Sequence, residues 1–421
     1  MTTDKHNKRP NVPPLRFPEF SGEWERSKLG YLTTKVGSGS TPRGGNSVYI
    51  ERGHCFVRSQ NVGMGVLLLD DIAHIDDNTH KKQIATEIKE NDVLLNITGA
   101  SIGRTAVATY LIAGGNVNQH VCIIRTNDLL NHNYLCNYIQ TKKIQNYIYS
   151  LQTGGSREGL NFEQVRSFPI CYPSEIEQIK ISHLISLLDR RIAIQSGLIE
   201  DLKNIKKYLM EQLFCQPKEK SPRLRLGGMS GEWKRVRLCD VVERVSTRNK
   251  TNECTRVLTI AAQYGLIDQQ EFFNKQIASS DLTTYYLLHR GDFAYNKSYS
   301  SDYPWGAVKR LDNYDEGVLS SLYICFCPNH SIDSDFLRHY FESTKWYRGI
   351  SEISGEGARN HGLLNMSVDD YFNTTHRFPS IEEQTCISHV LNTFDRKVLI
   401  EESILEKLRR QKSYLLNNMF I

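Results

Sequence analysis

The chain has 421 residues, of which 39% are apolar and 24% charged, and it carries a net charge of +5. That composition belongs to a soluble globular protein of two or three domains and excludes a fully disordered chain. The longest stretch without charge, Thr105–Ile124, contains Gly114, Gly115, Asn116, Asn118, Gln119 and His120, a load no bilayer span would accept.

Residues 1–14 are polar and lack the apolar segment of a signal peptide, so the cytoplasm is the expected compartment. Next, His54–Arg58, Val93–Ile97 and Val121–Arg125 read as short strands between Gly-, Ser- and Asn-rich turns, and Leu135–Leu151 reads as a helix. After Tyr172-Pro173, Ser174 is placed to cap a helix with Glu175 and Glu177 in its first turn. Apolar residues then fall at Ile181, Leu184, Leu188, Leu198, Leu202, Ile205 and Leu209, in steps of three and four interrupted by Arg191 and Gln195. This predicts a helix of about 40 residues, roughly 60 Å if continuous. From Lys203 to Arg237 there are ten basic and three acidic residues, a strip that suits a polyanion such as DNA or, equally, a solvated linker.

The second half repeats the pattern. Leu258–Ile260 and Ser321–Phe326 read as strands and Asp335–Ile350 as a helix. Phe378-Pro379 precedes Ser380 and a second long helix with Ile387, Val390, Phe394, Ile404, Leu408 and Leu415. Apolar stripes of such length require burial, and packing the two helices on each other is the economical answer.

An internal duplication underlies this repetition. Leu15-Arg16-Phe17-Pro18-Glu19-Phe20-Ser21-Gly22-Glu23-Trp24 recurs as Leu224-Arg225-Leu226-Gly227-Gly228-Met229-Ser230-Gly231-Glu232-Trp233, 209 residues later. Glu177-Gln178-x-x-Ile181-Ser182-His183 recurs as Glu383-Gln384-x-x-Ile387-Ser388-His389. Lys206-Lys207-Tyr208-Leu209 and Phe214 match Lys412-Ser413-Tyr414-Leu415 and Phe420. Between these ends the halves diverge. Asn91–Asn96 faintly echoes Gly291–Asn296, and Gly155–Asn161 faintly echoes Gly357–Asn365. Similar ends with dissimilar middles fit one scaffold carrying two specificities.

Catalytic signatures are sparse. The chain has no G-x-x-x-x-G-K-[ST] phosphate loop, no [DN]-P-P-[FY] methyltransferase motif and no H-E-x-x-H, and Gly63-x-Gly65 lacks the third glycine of a dinucleotide site. None of the ten cysteines forms a C-x-x-C pair, so they are expected to be reduced, mostly buried thiols, with no metal site. His183 and His389, at matching helix positions, read as structural. The turns are richer. In the first half, Ser38, Ser40, Thr41 and Arg43 lie in a Gly/Ser loop, Ser101 and Arg104 in Thr98–Arg104, then come Asn118 and Gln119, and finally Arg157. Candidates in the second half are Arg248 and Lys250, then Asn296, Lys297 and Tyr299, then Arg359 and Asn360. Arg reads guanine edges, Asn and Gln read adenine edges, and Ser and Thr hold phosphates. Each loop taken singly is equally an ordinary surface turn.

Gly39-Ser40-Thr41-Pro42, Thr98-Gly99-Ala100-Ser101-Ile102-Gly103-Arg104, Asn118-Gln119, Leu160-Asn161 leading to Tyr172-Pro173, and the E-Q-x-x-I opening of each long helix together resemble the specificity (S) subunit of a type I restriction–modification system. The second half lacks clear counterparts of the Gly-Ser-Thr-Pro and Gly-Ala-Ser-Ile-Gly loops. The resemblance implies an α+β protein with two mixed α/β target recognition domains in pseudo-two-fold arrangement, joined by two long antiparallel coiled-coil helices acting as a ruler. The corresponding boundaries are 1–173 and 223–379 for the domains, 174–214 and 380–421 for the helices, and 215–222 for the linker. Each domain would read half of a split target in double-stranded DNA, from major grooves about one helical turn apart, roughly 34–36 Å. The same resemblance implies no catalytic residues and no cofactor on this chain. S-adenosylmethionine, ATP and Mg would belong to partners: two copies of a methyltransferase (M) subunit, and restriction (R) subunits with helicase and nuclease activity. Rival readings are a self-contained DNA-cleaving enzyme and a helical-hairpin adaptor that binds only proteins.

Overall fold

The computed structural model describes residues 11–152, 159–216, 218–261, 264–273, 281–354 and 364–421. Its first half comprises β1 (Glu25–Lys28), β2 (Thr33–Ser38), β3 (His54–Val57), β4 (Ala73–Ile75), α1 (Asp77–Lys82), β5 (Val93–Asn96), β6 (Thr105–Val107), β7 (Asn116–Val117), β8 (Val121–Thr126), α2 (His132–Ile139), α3 (Lys142–Gln152), α4 (Phe162–Arg166), β9 (Pro169–Tyr172) and the long α5 (Glu175–Leu213). There follow β10 (Lys234–Arg237), β11 (Val242–Arg244), β12 (Leu258–Ala261), β13 (Gly265–Asp268), α6 (Gln269–Phe273), β14 (Tyr286–His289), β15 (Phe293–Asn296), β16 (Ala307–Arg310), β17 (Glu316–Leu319), β18 (Ile324–Pro328), α7 (Ser334–Glu342), α8 (Tyr347–Ile353), α9 (Val368–Phe372), β19 (Thr375–Phe378) and the long α10 (Ile381–Asn418). Two compact units result: residues 1–196 with 403–421, and residues 197–402. Each long helix therefore begins in one unit and ends in the other. Among the described residues, no helix is long and apolar enough to cross a membrane.

The first unit is built on a four-stranded sheet of order β2-β8-β5-β6. Its central strand, Val-Leu-Leu-Asn, is buried at every position because both faces are covered. Alternation sends Val93 and Leu95, with Cys122 and Ile124, into a core shared with α2 and α3. Leu94 and Ile123 go into a second core, against a layer that includes Val57 of β3 and Val117 of β7. In the second unit the order is β11-β18-β15-β16, which is the same topology. There Phe293, Tyr295, Ile324 and Phe326 face the core containing α7 and α8 residues. Ala294 and Cys325 face the opposite one, with Leu258 of β12 and Leu319 of β17. The faint echo between Asn91–Asn96 and Gly291–Asn296 is thus the central strand of each sheet.

The duplicated ends build the frame. Arg16 makes a bidentate pair with Glu177, both contacts 2.7 Å, and Arg225 makes the same pair with Glu383. Gln178 accepts from the backbone N–H of Asn131 at 2.8 Å and donates to the Pro173 carbonyl at 2.9 Å. Gln384 repeats this with Asp333 at 2.8 Å and Pro379 at 3.1 Å. The E-Q pair is therefore structural: Glu holds the arginine strap, and Gln ties the helix start to the loop capping α2 or α7. Trp24 packs edge-on to Tyr134 and Trp233 to Phe336, both at 6.1 Å. Phe420 at the chain end fills the first core, 5.1 Å from Tyr134, as Phe214 fills the second, 5.4 Å from Phe336. The helix tails match because they plug equivalent cores.

Two expectations need correction. Leu135–Leu151 and Asp335–Ile350 are not single helices, since each breaks near its middle. The Thr141 and Ser343 hydroxyls donate to the carbonyls of Tyr138 and Tyr340 at 2.7 and 2.6 Å, and each then accepts from a backbone N–H in the following turn. Such side chains compete with the helical ladder. The seam of α5 also differs. Leu198 and Ile205 are 40% and 47% exposed, whereas Ile199 is buried. The inward positions run Ile181, Ile185, Leu188, Ile192, Gln195, Ile199, Leu202, Lys206, Leu209 and Leu213, a regular four–three alternation. Counting apolar residues alone lost the register at Gln195, because the seam continues through polar positions. Arg191, read as an interruption, points outward.

The long helices run antiparallel. In the first unit Lys412 pairs with Asp189 at 2.6 Å. In the second, Lys203 pairs with Glu402 at 2.6 Å and Lys206 with Asp395 at 2.5 Å, one number falling as the other rises.

Candidate nucleic-acid interface

In the first unit, β2 and β5 end, and β6 and β8 begin, at the same edge of the sheet. The register fixes this: Ser38 lies opposite Cys122, Asn96 opposite Val121, and Leu95 opposite Thr105. Three loops therefore leave the sheet side by side, at residues 39–45, 97–104 and 118–120. Hydrogen bonds join them. The Thr41 backbone N–H donates to the Gln119 amide oxygen at 2.9 Å, and the Thr41 hydroxyl makes a second bond to the same atom. The Gln119 amide nitrogen meets one ring nitrogen of His120 at 3.0 Å, and the Thr98 hydroxyl meets the other at 2.5 Å. Gly39 is required here because a Cβ would lie 1.8 Å from the Val117 carbonyl oxygen. Gly99 opens the next loop at φ +69°, a conformation other residues rarely adopt.

Ser40, Thr41, Arg43, Arg104 and Gln119 are exposed on this edge, with Ser38 and Ser101 half-buried. Neither Arg43 nor Arg104 has an ion-pair partner among the described residues, so both guanidinium groups face solvent. Asn118 is buried, and its side-chain oxygen accepts from the His120 N–H at 3.0 Å, which shapes the turn. Thr98 and His120, the links between loops, lie in loops that the sequence marks, but their polarity alone did not make them candidate contact residues.

The second unit distributes its candidates differently. Asn296 ends β15, and its side-chain oxygen accepts from the Ser298 N–H at 2.9 Å. The Lys297 carbonyl accepts from Leu364 at 3.0 Å, as the Ile97 carbonyl accepts from Leu160 at 2.8 Å. Residues 297–306, between β15 and β16, are thus the positional counterpart of residues 97–104, although their sequences do not align. Tyr299 packs against the helical core. Arg248 and Lys250 are exposed, but Arg248 bridges to Tyr286 of β14 and so belongs to the outer layer. The buried Asn249 between them clamps Cys254 through both side-chain atoms, at 2.8 and 3.3 Å. Arg157, Arg359 and Asn360 lie outside the described residues.

Residues 23–204 match the family model of the type I restriction modification DNA specificity domain. That segment is therefore similar to a type I DNA specificity domain. The same fold is seen in the crystal structure of the type I restriction–modification system S subunit from M. genitalium, at 14% identity and TM-score 0.56, covering 97% of this chain and 99% of that one. A chain from a structure described as the basis of complex assembly and conformational transition of the type I R-M system is similar at 14% identity and TM-score 0.53, covering 93% and 96%.

Contacts of α5 and of the second unit account for two further clusters. Of the ten basic residues between Lys203 and Arg237, Lys203, Lys206, Lys220, Arg223, Arg225 and Arg237 are held in ion pairs. That favours the linker reading of the strip over the polyanion reading. His339, Glu342 and Asp395 come close enough to hold a metal ion. Lys206 already bridges the two carboxylates at 2.9 and 2.5 Å, and Arg338 contacts both at 3.0 Å. Burial alone would push the Glu342 carboxyl up, but its hydrogen bond to His339 and the Lys206 and Arg338 charges hold it well below the usual range. The cluster serves as an ion-pair clamp, matched in the first unit by Lys412, Asp189 and Gln140. All ten cysteines are free, and burial pushes Cys122, Cys215 and Cys325 up to about 12.

Proposed function

We propose that this chain is the DNA sequence-recognition subunit of a type I restriction–modification assembly, binding a bipartite asymmetric target and directing methyltransferase and restriction subunits to it. The observation that carries this reading is the convergence of three polar loops at one sheet edge of the first unit, with Arg43 and Arg104 exposed there and without an ion-pair partner among the described residues. Arginine without an internal acid is positioned for a phosphate or a guanine edge. Different outer layers on a common sheet support two different half-sites. The antiparallel helix pair would set their spacing, and two methyltransferase subunits would dock, one for each half. S-adenosylmethionine, ATP and Mg would then act on the partners. The test is methylation mapping in cells carrying the methyltransferase gene with and without this one. Methylation at one split, asymmetric sequence that disappears without this chain is the expected result. Methylation or cleavage by the isolated chain would overturn the reading, as would the absence of salt-dependent DNA binding in the presence of the partners.

A further inference from the structure

In the second unit, β10 and β19 form an antiparallel ribbon in which Arg235 lies directly opposite Arg377. Residues so paired project from the same face about 4.5–5.5 Å apart, and like charges there are destabilising. Neither arginine has a carboxylate partner among the described residues. Arg235 donates to the Thr375 hydroxyl at 2.8 and 3.1 Å, and Arg377 donates to the Trp233 carbonyl at 3.1 Å. Both line a cleft of about 130 Å³ together with Lys345 and Arg348. Lys345 is neutralised by Glu211 and also meets the Gln216 side-chain oxygen at 3.1 Å, and Arg348 is paired with Glu352 at 2.7 Å. His376 in the cleft wall is buried, and that burial lowers it to about 4, so it is neutral at pH 7. Among the described residues, four cations are thus matched by two carboxylates, and the positive charges of Arg235 and Arg377 are the ones left over.

The first unit lacks this arrangement. Its ribbon, β1 with β9, places Arg26 opposite Cys171, and Arg26 donates to the buried Asn11 side chain at 2.7 Å. The uncompensated pair is thus peculiar to one copy of a duplicated frame, where frame stability does not require it.

We infer that this cleft binds a phosphoryl group through Arg235 and Arg377. Two planar guanidinium groups with free donors fit tetrahedral oxyanions better than a single carboxylate. The phosphoryl could come from a free phosphate or from a DNA backbone phosphodiester, and the experiment separates them. The full chain, with its partner subunits if it requires them, is titrated with inorganic phosphate at low ionic strength by thermal shift and calorimetry. The Arg235→Gln/Arg377→Gln double variant is compared with it, and Arg235→Glu, which creates an Arg–Glu pair across the ribbon, serves as a folding control. Phosphate should stabilise the natural chain, and affinity should fall at least about tenfold in both variants. If the source is instead DNA, phosphate binds weakly, and the salt dependence of non-specific DNA binding flattens in the double variant by up to about 0.9 per lost contact. Folded variants that bind phosphate and DNA as the natural chain does would overturn the inference. So would equal stabilisation of all three proteins by phosphate. The phosphate arm reads the cleft independently of whether the chain selects a DNA sequence.

Discussion

The two units share one sheet topology, yet the sheet's two faces have had different histories. On the frame face, Val93 and Leu95 correspond to Phe293 and Tyr295, and they meet the same partners: a helix pair, a duplicated tryptophan and the tail of a long helix. On the other face, Leu94 and Ala294 meet unrelated layers, a three-stranded sheet in one unit and two ribbons in the other. Alternation along one strand is therefore the boundary between preserved and diverged structure. A face that must receive Trp24 or Trp233 and a plug from a distant helix is constrained by packing. The opposite face is free to carry whatever layer serves recognition.

The largest effect is expected from breaking the shared frame. Phe420→Ala should destabilise the first unit and Phe214→Ala the second, each by about 3–5 kcal/mol. Hydrogen exchange resolved by segment would check this, with protection lost mainly in the β5 or the β15 sheet respectively. Equal loss in both would show that the units are one cooperative block. Next comes the strap. Glu177→Gln or Glu383→Gln removes a buried carboxylate from a bidentate arginine, and a midpoint shift equivalent to about 2–3 kcal/mol in urea unfolding is expected.

Acid should distinguish the units. Glu342 is held below its ordinary value of 4.5, so its contribution is present above that pH and fades as pH falls through the lower folded value. Its counterpart in the first unit, Gln140, does not titrate. Glu342→Gln should therefore lower stability at pH 7 and flatten the acid limb of the second unit's unfolding curve, while leaving the first unit's limb unchanged.

Recognition effects are smaller and local. Arg104→Ala should cost about 1–3 kcal/mol and relax one position of one half-site, if that side chain reads a base. A panel of single-base variants at two salt concentrations decides, because a uniform loss would mark a phosphate contact. The smallest effect belongs to Lys218, Lys220 and Arg223. Lys220 is paired with Glu232 and Arg223 with Glu219, so neutralising all three should change DNA affinity by no more than the loss of about one phosphate contact.

Much of this was legible in the residues. Strands at His54, Val93, Val121 and Leu258 begin where composition placed them, and both long helices follow their Pro-Ser starts, because local patterning and capping act over a few residues. The duplication alone assigned importance to Trp24, Glu177, Gln178 and the helix tails. What it could not disclose was which distant groups they meet: Arg16 reaching Glu177, or Phe420 closing a core begun at Trp24. The candidate loops divided the same way. Their polarity and glycines were visible, but their convergence depends on strand order, and the equivalence of residues 297–306 to 97–104 survives only as topology. The α5 register passed through Gln195 and Lys206, so hydrophobicity misplaced it, whereas burial read it directly. The Arg235–Arg377 pair was settled by tertiary structure alone: two arginines 142 positions apart become neighbours only when antiparallel pairing sets the register.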